Sequence, residues 1–106
     1  MINWPRVKEL KDEIGSDGFD EVVELFLEEV DEIIEKLRGE DRGQLEQDLH
    51  FLKGCALNLG FDRFSDLCLK GERQAAGGAA DTVDLPGILA SFDQSKQVFL
   101  AEVSDH

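Results

Sequence analysis

With 106 residues, 42% of them hydrophobic and 33% charged, the chain can bury one core of its own and is too apolar to be a disordered polypeptide. Its 24 acidic against 11 basic residues leave a formal charge of −13. That excludes a binder of nucleic acid or of an anionic membrane surface, because both tasks need clustered Lys and Arg.

No apolar run is long enough to cross a bilayer, and the N-terminus lacks the basic and apolar regions of a signal peptide. A soluble, cytoplasmic, monomeric protein with a single domain over residues 1–106 is therefore expected. Two cysteines, Cys55 and Cys68, make no disulfide framework in such a chain and read as small buried hydrophobes.

A first short helix follows Pro5 and ends near Gly15, as an accessory piece across one end. Ser16 or Asp17 is placed to cap the second, whose apolar residues run Phe19, Val22, Val23, Phe26, Leu27, Val30, Ile33, Ile34 and Leu37. Steps of three and four make that a core-facing helical stripe, closed by Gly39. Asp41 is expected to cap the third helix, with Leu45, Leu49, Leu52, Ala56 and Leu59 inward and Gly60 as its stop. Asp62 opens a fourth, with Phe64, Leu67, Cys68, Gly71 and Ala75 inward, and Gly77-Gly78 ends it. Asp84 caps a fifth that carries Leu85, Ile88, Leu89, Phe92, Phe99 and Val103. The pattern predicts an all-α protein, an antiparallel up-and-down four-helix bundle with a short accessory N-terminal helix.

The third helix contains residues that its stripe does not explain. At about 100° per residue, His50 falls roughly 140° from the stripe centre and points outward. Lys53 is its neighbour at i+3, and Gly54 stands one turn along. A glycine inside an exposed helix costs about 0.5–1 kcal/mol relative to alanine. No kink or cap needs it here, so its use is to let another protein's surface approach the imidazole. Phe51 and Leu57 also leave the stripe and offer that partner apolar surface.

The available chemistry is narrow. An imidazole near neutral pH has a nucleophilic nitrogen, and an ammonium group beside it stabilises incoming negative charge. No metal cluster or phosphate-cradling loop accompanies them, so a partner must supply the rest. The second histidine, His106, is terminal and expected to be disordered. A di-iron Glu-x-x-His step is absent, since Gln47 stands three residues before His50.

The segment His50 to Gly60 resembles the phosphorylation segment of histidine-containing phosphotransfer (HPt) domains, which shuttle phosphoryl groups between receiver-domain aspartates. The pattern His-x-x-Lys-Gly, a small residue and a later Leu-Gly is met by His50, Lys53, Gly54, Cys55, Leu59 and Gly60. The resemblance implies a four-helix bundle over essentially the whole chain, with His50 phosphorylated, Lys53 as cationic helper and Gly54 kept bare for a receiver. It implies that Cys55, where relatives have Ser or Ala, sits at that face as a small residue with a chance of redox sensitivity. It places Glu72 on the next helix near the histidine, where a carboxylate fixes the ring tautomer. Gly71 departs from the bulky residue often found there, with loosening of that helix as the expected result. No resident cofactor is implied, with Mg²⁺ supplied by the receiver, and the implied partners are response-regulator receiver domains and a sensor histidine kinase.

Two rival functions remain at this level. One is a phosphoacceptor domain like those of chemotaxis kinases, served by a separate histidine kinase. The other is a helical interaction module without chemistry, which leaves Lys53 and Gly54 unexplained.

Overall fold

The alternation of apolar stripes and glycine stops produces five α-helices among the residues described, 2–106, of a computed structural model: α1 (Trp4–Ile14), α2 (Ser16–Arg38), α3 (Leu45–Leu59), α4 (Asp62–Ala76) and α5 (Leu85–Glu102). Short 3₁₀ turns at Ala80–Thr82 and Val103–Asp105 complete the regular structure. Helix α2 packs on α3 and α5, α3 on α4, and α4 on α5, so the four long helices close into a bundle. No helix among these residues is long and apolar enough to cross a membrane.

The stripes are the core. Helix α2 buries Phe19, Val23, Leu27, Val30, Ile34 and Leu37, while Phe26 and Ile33 lie half-buried along its edges. Leu45, Leu49, Leu52, Ala56 and Leu59 of α3 meet them, with Phe64 and Cys68 from α4 and Ile88, Phe92 and Phe99 from α5. The Phe61 ring meets Phe99 edge-on at 5.4 Å between centroids, and Phe64 lies 5.3 Å from Phe92. Both distances fall within the favourable range for aromatic pairs.

Helix α1 packs on α2 and α3 and buries Val7 and Leu10. Pro5 stands in its first turn, and the Asn3 carboxamide oxygen accepts from the Arg6 amide at 3.2 Å. Trp4 stacks on Phe99 at 5.8 Å and on His106 at 3.9 Å between ring centroids. The C-terminal histidine is thus held by an aromatic partner, which an expectation built on its terminal position could not include.

Two expected caps are corrected. Helix α2 starts directly at Ser16 behind Gly15, whose φ of 80° turns the chain with no intervening loop. Neither Ser16 nor Asp17 makes a side-chain cap bond there. Asp41 accepts instead from the Gly43 amide at 3.0 Å, closing a local turn, and α3 begins behind Gln44. Asp84 does cap α5, accepting from the Gly87 amide at 3.1 Å.

Polar ties close the bundle's edges. Arg42 donates to the carbonyls of Ala80 and Val83 at 2.6 and 3.0 Å, pinning the α4–α5 connection to the start of α3. Asp48, 7% exposed on the inner edge of α3, meets Lys36 of α2 at 2.6 Å. Lys96 and Arg38 join α2 to α5 through Asp31 and Asp93.

Candidate functional site at His50

Because α3 spends its inward face on leucines, the opposite face is free, and His50 stands there with 71% of its side chain exposed. Beside it lie one bare position and two apolar ones. A Cβ built on Gly54 would meet nothing within 4 Å, and Phe51 and Leu57 are among the exposed large hydrophobics. These four placements match the sequence expectation. Cys55 keeps to the buried reading of its residue type and departs from the docking position that the resemblance implied: it is 6% exposed and faces the core, so it cannot present to a partner. Burial pushes its thiol up to about 11, with Glu29 adding to the effect, and pushes Cys68 up to about 12, where Glu72 adds and Lys53 opposes. Both remain free thiols in protonated form, which removes the basis for redox sensitivity.

Glu72 reaches the histidine from α4. Its predecessor Gly71 is buried, and a Cβ there would lie 2.8 Å from Leu49 Cδ1, 3.1 Å from Val83 Cγ1 and 3.2 Å from Ile88 Cδ1. The missing side chain therefore tightens the α3–α4 contact and does not loosen it. Leu49 precedes His50 just as Gly71 precedes Glu72, so the close seat between the first pair brings the second pair together.

The result is a three-residue cluster. His50 Nδ1 lies 3.1 and 3.2 Å from the two Glu72 oxygens, and Lys53 Nζ lies 3.2 and 3.0 Å from the same two. Burial acts to raise the Glu72 carboxyl, but its bonds to His50 and Lys53 outweigh that and hold it below its ordinary value. Glu72 is thus ionised at neutral pH and can only accept. The proton in the contact belongs to Nδ1. In the neutral ring Nε2 then carries the lone pair, on the edge turned away from Glu72.

A shallow hollow lined by Glu46, Gln47, His50 and Glu72 borders this cluster. Sequence reasoning gave neither Glu46 nor Gln47 a place at the site, although they stand four and three residues before His50. On the other side, Arg6 donates to Asn58 Oδ1 at 3.0 Å, and Asn58 Nδ2 donates to the Gly54 carbonyl at 3.3 Å. This connects α1 to the bare segment of α3. Among the described residues no group of three or more His, Cys, Asp or Glu side chains is arranged to hold a metal ion.

No curated protein and no solved structure is matched by the chain. The family model described as Hpt domain matches residues 21–106, which takes in α3, α4 and the whole His50 cluster. A helical bundle carrying an outward histidine on its third helix, together with a family match over most of its length, places this chain in the Hpt domain family.

Proposed function

We propose that His50 is the residue through which this chain passes a phosphoryl group to and from receiver-domain aspartates. Histidine phosphotransfer within phosphorelays is the activity of the family, whose members work with receiver domains and kinases. The observation that carries the assignment is the exposed imidazole whose Nδ1 is occupied by Glu72, beside the bare Gly54. With Nδ1 donating to a carboxylate, Nε2 is the nucleophile.

In the forward step the Nε2 lone pair attacks the phosphorus of a receiver's aspartyl phosphate. The N–P bond forms as the P–O bond to the aspartate breaks, and the aspartate leaves as a carboxylate. The return step reverses this, so neither direction needs ATP at this chain. The Mg²⁺ that neutralises the phosphoryl oxygens is brought by the receiver. Phe51, Gly54 and Leu57 form the surface against which the receiver closes. The working form is a cytoplasmic monomer.

A second reading, with a separate histidine kinase as donor, is favoured by the carboxylate at position 72. A charged acceptor keeps the ring nucleophilic towards any donor, including ATP bound by another protein.

Incubation with a phosphorylated receiver, or with phosphoramidate, followed by mass analysis of the peptide containing His50, tests the assignment. An acid-labile, alkali-stable adduct on His50, absent from His50→Gln, is expected. Full labelling of His50→Gln would remove His50 from the reaction.

A further inference from the structure

Glu46 stands one turn before His50 on α3 and lines the same hollow of about 380 Å³ as Gln47, His50 and Glu72. Glu46 and Gln47 are both exposed. Among the described residues the Glu46 carboxylate has no cationic partner within 4.0 Å, and the nearby Lys53 is taken up by Glu72. Side chains on a helix lean towards its N-terminus, so the His50 ring extends over the turn that carries Glu46 and Gln47. Residues four apart have Cβ atoms about 5–6 Å from each other. A group on Nε2 therefore stays inside the screening length of about 10 Å in 0.1 M salt.

We infer that Glu46 sets how readily His50 keeps a phosphoryl group: its unpaired carboxylate repels the group on the ring and biases it towards the receiver. The inference rests on His50 being the phosphoacceptor and gives that reading a direction.

The argument is one of charge in two states. Phosphorylation forms the Nε2–P bond and adds PO₃⁻ to the ring, one net negative charge spread over three oxygens, while Nδ1 keeps its proton. On the return step the N–P bond breaks as an aspartate oxygen bonds the phosphorus. The lone pair goes back to Nε2, and the added charge leaves with the phosphoryl group. Repulsion from Glu46 is thus present only in the phosphorylated chain, and it raises that state alone. Two like unit charges at this spacing, across the water of an open hollow, shift an equilibrium by about threefold.

Glu46 has a structural use as well, since an acid in the first turn of α3 complements the positive end of the helix dipole. That contribution is made in both states. It moves a melting curve and leaves a transfer equilibrium where it was.

Phosphoramidate in ammonia buffer is the probe, with the imidazole displacing ammonia from phosphorus. At a fixed ratio of phosphoramidate to ammonia, the plateau of label on the peptide containing His50 reads the energy of the phosphorylated state. In low salt Glu46→Gln should raise the ratio of phosphorylated to free protein about threefold. Gln47→Glu, which adds a second carboxylate to the hollow, should lower it by about the same factor. Glu46→Asp keeps the charge and should stay close to wild type. Both shifts should largely vanish in 1 M NaCl, where the screening length falls to about 3 Å. Urea unfolding of the unphosphorylated variants reads the helix-dipole contribution separately.

A ratio unmoved by Glu46→Gln, a fall where a rise is expected, or a shift that persists in 1 M NaCl would overturn the inference. If wild-type protein took no label at His50, the functional reading and the inference would fall together. Normal labelling with an unmoved ratio would overturn the inference alone.

Discussion

The Asn3 amide donates to the Gly60 carbonyl at 2.7 Å, and a Cβ on residue 60 would lie 2.6 Å from the Asn3 carbonyl oxygen. Gly60 also carries φ of 73°, so it ends α3 and receives the N-terminal segment at one residue. Gly60→Ala meets both a left-handed backbone and a backbone clash. A loss of about 2–4 kcal/mol is expected, readable as a lower midpoint in urea.

Gly54, six residues earlier in the same helix, should behave in the opposite way. Nothing lies near its missing Cβ, so Gly54→Ala should raise stability by about 0.5–1 kcal/mol. Gly54→Gln should also fold, yet place bulk beside His50 where a receiver must close to attack distance. Transfer from a receiver should fall steeply, since small displacements at a reacting centre are costly. Labelling by acetyl phosphate or phosphoramidate should change little. Equal loss with both donors, or an early melt, would make Gly54 a structural residue.

At Gly71 the prediction concerns the seat between α3 and α4. Gly71→Ala puts a Cβ 2.8 Å from Leu49 Cδ1 and should cost about 1–3 kcal/mol. Since Glu72 follows directly, the same variant should also reduce the Nδ1–H tautomer excess at His50. The double change Gly71→Ala with Leu49→Ala should recover part of the tautomer excess, at the expense of a core cavity.

The Asp48–Lys36 contact gives a fourth stability test. Lys36→Met leaves a carboxylate with little exposure and no cation, which should cost about 1–3 kcal/mol, less than for a fully buried pair because Lys36 is partly solvated. Replacing both residues, as Lys36→Met with Asp48→Leu, should recover most of that loss in a thermal melt.

Acid should act on the His50 cluster through Glu72. Its carboxyl is held below its ordinary value in the folded protein, so it contributes stability above its unfolded-state pKa. That contribution is lost as pH falls through the ordinary carboxylate range and below. Glu72→Gln should flatten the acid limb of a stability-against-pH curve. An identical acid limb in the variant would show that the cluster's ion pair adds nothing to folding.

What the sequence made legible was whatever repeats with the helix. The α2 stripe and the outward placement of His50 follow from angular position alone, because 3.6 residues per turn fixes which side chains share a face. Features decided by another element did not show. Gly71 read as a weak point because its neighbours Leu49, Val83 and Ile88 come from three other segments. Asp48 shows the same effect in a charged residue, whose charge argues for solvent and which Lys36 makes tolerable inside. The caps went astray because Ser16, Asp17 and Asp41 compete with backbone geometries, a positive-φ glycine and a local turn, that carry no periodic signal.

The N-terminal helix lies outside the segment that the family model matches, yet Val7 and Leu10 are part of the one core. A fragment beginning at residue 21 would lose them, uncover Gly60 and remove the Trp4 ring from Phe99. It would also lose Phe19 and the first turn of α2. The boundary drawn by family likeness therefore cuts through a cooperative folding unit. Amide exchange in α1 should accordingly slow and quicken together with that of α3, since opening one end leaves the other without its cover.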